Sequence, residues 1–139
     1  MEREFTPEEK KRQKMFLVCV LIILACAIFF ISERNGKKKA QEEAIFAEYE
    51  EALTKCLNQY SKDDIKRYAI FSDAVGIYIP IEKWNATLSS DREDFCEEVA
   101  TWVIYSANNS GLWSVEDRII LTFYDLDRNE LKHYYLEDN

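Results

Sequence analysis

Residues 15–31 read MFLVCVLIILACAIFFI, and this unbroken apolar run decides how the chain is built. It begins at Met15 and ends at Ile31. As an α-helix, its 17 residues span about 25 Å, near the short end of what the hydrocarbon core of a bilayer requires. Basic residues flank the run on both sides, and their long stems reach the headgroups: Lys10, Lys11, Arg12, Lys14, Arg34, Lys37, Lys38 and Lys39. The run therefore predicts one transmembrane helix in contact with a lipid bilayer.

A basic stretch followed by an apolar stretch is also typical of a cleaved signal. Ala25 and Ala27 have the spacing of a cleavage site, and residues 23–26 are similar to a lipoprotein box in which Cys26 would be lipidated. The apolar run continues past Cys26 to Ile31, whereas the apolar core of a processed signal ends at or before the cut. We therefore expect an uncleaved anchor. A processed lipoprotein and a secreted domain are the alternatives.

The basic residues before the run also bear on its orientation. Four of the five that precede it lie in residues 10–14, immediately before the run. Such a cluster on a short tail favours a cytoplasmic N-terminus under the positive-inside rule. We predict a basic cytoplasmic tail over residues 1–14, the transmembrane helix over 15–31, a linker over 32–37 that breaks at Gly36, and a domain over 38–139. In this arrangement the C-terminal domain lies on the outer, non-cytoplasmic side of the cell membrane.

Charge divides along the chain. Residues 1–39 contain nine Lys or Arg and five Glu, a charge of +4, whereas residues 40–139 contain nine Lys or Arg and 21 Asp or Glu, a charge of −12. The two add to the net charge of −8. The second part is long enough for one small domain. An acidic domain repels phosphate backbones, so nucleic-acid binding is disfavoured and a partner attracted by charge would be cationic.

Hydrophobic periodicity predicts the first part of this domain. Residues 38–60 lack Gly and Pro and carry apolar residues at three- and four-residue steps, which predicts an amphipathic helix. This helix packs on its own domain or, as the alternative, pairs with a second chain as a coiled coil. From Ala74 the apolar residues alternate through Ile81, which predicts a strand with Pro80 at a sheet edge or a strand end.

The second part of the domain continues with one helix and two strands. Ser90 and Glu93 have capping-box spacing and predict a helix to about Ala107. Strands follow from Arg118 and from Glu130, joined by a short turn. The predicted fold class is α+β: an N-terminal transmembrane helix followed by a small α-β-α-β-β domain whose helices cover one face of a mainly antiparallel sheet.

Chemistry-bearing motifs are scarce in this sequence. Hydrolase, phosphate-binding, dinucleotide-binding and metalloprotease signatures do not occur, so we assign no catalytic residue and no cofactor. Residues 125–130 imitate the start of an EF-hand loop, but Glu130 stands where the loop requires Gly, and we interpret them as a hairpin turn. His133 has no nucleophile paired with it by any motif, which favours a structural or surface role.

Cysteine spacing in the domain matches no metal site, since no C-x-x-C occurs. Cys56 and Cys96 both fall on predicted apolar helix faces. Two buried free thiols are one interpretation, and a disulfide between them in an oxidising compartment is the other.

Trp84 and Trp113 fall in predicted loops and are the candidates for a partner contact. We expect the chain to bind another protein, and the expected marker is an aromatic or apolar patch on the sheet face that the helices leave open. A membrane-tethered enzyme or ligand-binding domain is an alternative and would need a pocket with converging polar groups.

The order of elements also suggests an assembly subunit. An apolar segment, an amphipathic helix and a small sheet resemble the layout of type IV pilins and pseudopilins, which implies a pilin-like subunit as a further alternative. The family's Gly-Phe processing site and the acidic residue early in its apolar run do not occur here, because Lys14 and Met15 stand at the junction and residues 15–31 contain no Glu.

Overall fold

A computed structural model describes residues 6–138 of the chain. Its first element is a single helix, α1, over Pro7–Leu57, whose first turn carries Glu8 and Glu9. Acidic side chains there complement the positive end of the helix dipole. The predicted basic tail is therefore helical from Pro7 onward, and its first five residues lie outside the described part of the chain. The chain divides into two compact units, one that ends at Gln41 and one that starts at Glu42.

In the first unit, the apolar run lies entirely within α1. Its large hydrophobic side chains are between 52% and 72% exposed, apart from the half-buried Val20. By length and composition, α1 is suited to cross a membrane, and none of its apolar window is buried inside the protein. A core helix of a soluble domain would bury this surface instead.

The predicted break at Gly36 is wrong, because α1 continues through residues 32–37 without interruption. A glycine inside a helix costs only about 1 kcal/mol relative to alanine, and good helix formers surround this one. An ion pair also spans it: Lys37 Nζ lies 2.8 Å from Glu33 Oε1 at the favourable i,i+4 spacing.

In the second unit, the C-terminal part of α1 has the predicted amphipathic stripe. Tyr49, Leu53, Cys56 and Leu57 are buried in the core of the domain, while Glu51 and Lys55 pair on the exposed side at 2.7 Å. The stripe therefore packs on its own domain, as predicted.

The domain contains one mixed sheet of four strands. They are β1 (Arg67–Ile70), β2 (Ala74–Tyr78), β3 (Arg118–Tyr124) and β4 (Glu130–Glu137), in the spatial order β1-β2-β3-β4. β1 pairs with β2 and β3 with β4 in antiparallel fashion, whereas β2 and β3 are parallel. A parallel pair needs a crossover, and helices α2 (Ile81–Ala86) and α3 (Ser89–Ser110) form it. The α+β fold class is confirmed.

The segment from β1 to α2 differs from the prediction. The sequence patterns did not predict β1 or α2, which are four and six residues long and too short to establish a period. Of the two positions predicted for Pro80, the strand end agrees with the structure and the sheet edge does not: β2 is an inner strand that ends at Tyr78, and Pro80 precedes α2. Ile81 accordingly begins a helix instead of continuing the strand. Proline fits at this position because the first backbone N–H groups of a helix have no acceptor within the helix, so the missing N–H of proline breaks no hydrogen bond. Its fixed φ is also compatible with the start of a helix.

α3 begins and ends differently from the prediction. Leu88 occupies the N-cap position without a side-chain hydrogen bond, and Ser90 lies inside the helix, where its hydroxyl donates to Asp91 Oδ1 at 3.4 Å. The helix ends at Ser110, and Gly111 takes the left-handed conformation with φ of 75°. Only glycine adopts that conformation without a steric penalty, which explains why the helix ends here, three residues beyond the predicted end at about Ala107.

The core lies between the helices and one face of the sheet. α1, α3 and the 3₁₀ turn Leu112–Ser114 supply one side of it, and alternate residues of the strands supply the other: Val75, Ile77, Ile119, Leu121, Phe123 and Leu136. Because side chains alternate along a strand, the residues between these point to the opposite face.

Candidate interaction surface

The sheet carries a second face whose side chains are not part of the hydrophobic core. We call it the open face, and strand register places these residues on it: Arg67, Ala69, Ala74, Gly76, Tyr78, Arg118, Ile120, Thr122, Tyr124, Glu130, His133, Tyr135 and Glu137. The expected aromatic patch on the uncovered side of the sheet is therefore present. The formal charges on this face balance, with Arg67 and Arg118 against Glu130 and Glu137, although the domain as a whole is strongly acidic.

A groove of about 290 Å³ runs across the open face, with Gly76 among the residues that line it. The rings of Tyr78 and Tyr124 stack beside that glycine, with centroids 5.3 Å apart and planes 22° apart. A Cβ atom at Gly76 would lie 3.5 Å from the Cε2 atoms of both tyrosines. A Cβ there would be in ordinary van der Waals contact with both rings, so glycine leaves a small volume unfilled beside the stacked pair.

Two arginines lie over tyrosine rings on this face. Arg67 Cζ is 4.4 Å from the centroid of Tyr78, and Arg118 Cζ is 5.0 Å from the centroid of Tyr135. Such cation–π contacts place a guanidinium over each ring, and Arg67 Nη2 also donates to the carbonyl oxygen of Leu126 at 3.5 Å. The face therefore combines apolar ring surface with hydrogen-bond donors.

Exposed aromatic side chains border the groove. Phe71, in the turn between β1 and β2, is 60% exposed and lines the groove, and Tyr135 on β4 is 58% exposed. His133 lies beside Tyr135 at a ring distance of 5.2 Å and contacts the Glu130 carboxylate through Nδ1. These contacts place His133 on the surface of the sheet, in accordance with the role expected for it.

The two tryptophans singled out from the sequence lie elsewhere. Trp84 is on α2 and Trp113 in the 3₁₀ turn, so neither is in an irregular loop, and both are partly buried against the core. Trp113 Nε1–H donates to Asn108 Oδ1 at 2.7 Å. The open face instead contains tyrosines and arginines that no sequence motif predicted.

Cys56 and Cys96 are free, buried thiols in the structure. Burial raises the pKa of the Cys96 thiol to about 11, so at neutral pH this side chain is a thiol and not the reactive thiolate. This arrangement is the first of the two interpretations drawn from the sequence.

Residues 125–129 form the predicted hairpin turn between β3 and β4. Asp125 Oδ1 accepts hydrogen bonds from the backbone N–H groups of Asp127 and Asn129, and Oδ2 accepts one from Asn129 Nδ2, all at 2.9 Å. These hydrogen bonds hold the pKa of Asp125 below its usual range, and the bond from the Asn129 side chain has the largest effect. The carboxylate is thus occupied with the turn itself.

Comparison of the chain with protein-family models, curated proteins and solved structures finds no significant match. Its function is therefore inferred from the chemistry of its own residues.

Proposed function

We propose that the chain is a single-pass membrane-anchored protein that holds its acidic α+β domain outside the cytoplasm, where the open face binds another protein. The observation that carries this proposal is the open face itself, with the Tyr78–Tyr124 pair, the two arginines and the exposed Phe71 and Tyr135. An aromatic face that a domain leaves unpacked is typical of an interaction site.

The anchor is supported by the exposure of the apolar run. Removing apolar surface from water gains about 25 cal/mol per Å². Apart from Val20, the large side chains of residues 15–31 are more than half exposed, so a bilayer would remove a large apolar area from water. The flanking lysines and arginines would then lie among the headgroups.

A protein partner fits the composition of the open face. Tyrosine and arginine are enriched in interface cores and among the residues that dominate binding energy. Stacking rings and two arginines also resemble the features of single-strand nucleic-acid sites, but the net charge of −12 over residues 40–139 opposes the approach of a phosphate backbone. The balance of ring chemistry and charge therefore favours a protein.

Photo-crosslinking in intact cells tests the binding face. A photoreactive phenylalanine analogue replaces Tyr135 on the open face or, as the matched control, Glu97 on the exposed side of α3. We expect a discrete crosslinked product from position 135 that is missing from position 97. No product from position 135, or the same product from both positions, would overturn the proposal.

Thiol labelling tests the orientation of the anchor. The variants Asp94→Cys, in the domain, and Glu8→Cys, before the apolar run, place thiols at exposed positions on either side of it. A membrane-impermeant maleimide should label position 94 in intact cells and position 8 only after lysis. The reverse pattern would place the domain in the cytoplasm and contradict the proposal.

The intact mass of the same samples tests processing. We expect the uncleaved mass. Loss of the residues up to Ala25, with or without a lipid on Cys26, would replace the transmembrane anchor by a lipoprotein or a secreted domain.

A further inference from the structure

A pocket of about 200 Å³ lies at the junction of β2, α2 and the start of α3, and none of the residues that line it belongs to the open face. Its lining includes Asp64, Ile79, Lys83, Trp84, Arg92 and Phe95. Charged and apolar groups thus face the same small space.

Arg92 is the most informative of these residues. Its Cζ lies 5.3 Å from the centroid of the Trp84 ring, which holds the guanidinium against the indole. Its Nε atom is buried and has no hydrogen-bond partner among the described residues. A buried donor of a charged group without an acceptor is unfavourable, so the domain leaves this arginine incompletely paired, and an anion on its terminal N–H groups would offset part of that cost. The planar guanidinium matches a carboxylate through two parallel N–H bonds.

Lys83 supplies a second cation beside the pocket. Its Nζ lies 3.3 Å from Asp64 Oδ1, and its side chain is half exposed. Because an ammonium group has three N–H donors, it can keep Asp64 and also donate to a second anion. With Arg92, Lys83 and Asp64 on its wall, the pocket carries a charge of +1 within an acidic domain.

The remaining wall is apolar. Ile79 is 3% exposed, and Trp84 and Phe95 are partly buried and packed on the core. Phe95 is held in place by edge contacts with Tyr60 at 5.5 Å and with Phe123 at 6.0 Å. Rings anchored in this way form a firm surface for the apolar body of a ligand.

We propose that this pocket binds a small organic monocarboxylate, with its carboxylate on Arg92 and Lys83 and its apolar or aromatic body against Ile79, Trp84 and Phe95. The volume of about 200 Å³ suits a small ligand. A single negative charge suits a site of charge +1, whereas a doubly charged phosphate would be repelled more strongly by the acidic domain around it. This site is independent of the open face and of the orientation of the anchor.

Nuclear magnetic resonance of the indole groups tests the proposal on the full chain in lipid nanodiscs. The three Trp Nε1–H signals are assigned with single Trp→Phe variants. Benzoate should shift the Trp84 signal in a saturable manner and leave the Trp113 signal in place. Benzyl alcohol, which has the ring without the charge, and sulfate, which has charge without the ring, should each bind at least about tenfold more weakly. Equal binding of either control compound, or no saturable shift with benzoate, would overturn the proposal.

Two variants locate the carboxylate. Arg92→Gln should weaken benzoate binding about tenfold or more, whereas the same change at an exposed position in the turn between β3 and β4, Arg128→Gln, should leave it unchanged. Where Arg92→Gln disturbs the fold, seen as lost dispersion of the indole signals, Lys83→Gln at an exposed position serves instead and should weaken binding about threefold. Unaltered affinity in a folded variant of either residue would contradict the assignment.

Discussion

Two stretches of the helix α1 carry apolar side chains and place them in opposite surroundings. The large side chains of residues 15–31 are exposed around the whole helix, whereas Tyr49, Leu53 and Leu57 are completely buried on one side of it. The first stretch is apolar on every face, and the second alternates apolar with charged residues at helical spacing. An apolar stripe selects a protein core, while a helix that is apolar all round requires a surrounding apolar medium.

The largest effect expected from this comparison concerns the buried stretch. Leu53→Ala leaves a cavity in the core and should lower the free energy of unfolding of the domain by about 3 kcal/mol. Leu24→Ala, the same change in the exposed stretch, should alter it by less than about 0.5 kcal/mol. Urea unfolding of the full chain in micelles, followed by tryptophan fluorescence, measures both. An equal loss of unfolding free energy in the two variants would contradict the difference in burial between the two stretches.

A charge in the exposed stretch should act on the membrane and not on the domain. Leu24→Arg places a guanidinium near the centre of the run and should disfavour insertion by about 2.5 to 3.5 kcal/mol. The fraction of protein that resists alkaline extraction from membranes should therefore fall, while Leu24→Ile should extract like the natural chain. Retention of the arginine variant at the natural level would argue against a transmembrane role for this stretch.

The junction between the stretches should respond more weakly. Gly36→Ala adds a Cβ with no atom within 4 Å of it, so it should stabilise the helix there by about 1 kcal/mol. Hydrogen exchange of the amides around position 36 should slow about fivefold. Unchanged or faster exchange would support the helix break that the sequence predicted at Gly36.

The smallest effect at neutral pH concerns Tyr49, whose hydroxyl is buried without a hydrogen-bond partner among the described residues. Burial raises the pKa of Tyr49 well above the value of about 10 expected in the unfolded chain. Above that pH the unfolded state loses this proton and the folded state keeps it. The contribution of Tyr49 to the free energy of unfolding should therefore be fully present below a pH of about 10. Above it, this contribution should fall by up to about 1.4 kcal/mol per pH unit.

Tyr49→Phe tests the origin of that loss. It removes the unpaired hydroxyl and should leave stability at pH 7 within about 1 kcal/mol of the natural chain. Above a pH of about 10, the free energy of unfolding should fall less steeply with pH, because unfolding of the variant releases one proton fewer. Urea titrations at several alkaline pH values measure the slope, and an identical slope in both proteins would assign the decline to other groups.

How far the sequence predicts the fold depends on the length of each pattern. α1, α3 and the last two strands are long enough for their hydrophobic period to be recognised, and Gly111 marks the end of α3. β1 has four residues and α2 has six, so neither exceeds two periods of its own pattern, and contacts with their neighbours stabilise them. Gly36 and Ser90 show the reverse error, in which a recognised local signal is outweighed by the helix around it.

The candidate sites divide along the same line. The sequence by itself determined the membrane-length run, the acidic domain, the α+β class and the alternation that gives the sheet two faces, because these follow from composition and local period. Only the tertiary structure brought Tyr78 beside Tyr124 and Arg92 over Trp84, since the first pair depends on parallel pairing of β2 with β3 and the second on the packing of α2 against the start of α3. Such contacts join residues through the pairing of distant segments, and no local pattern encodes that pairing.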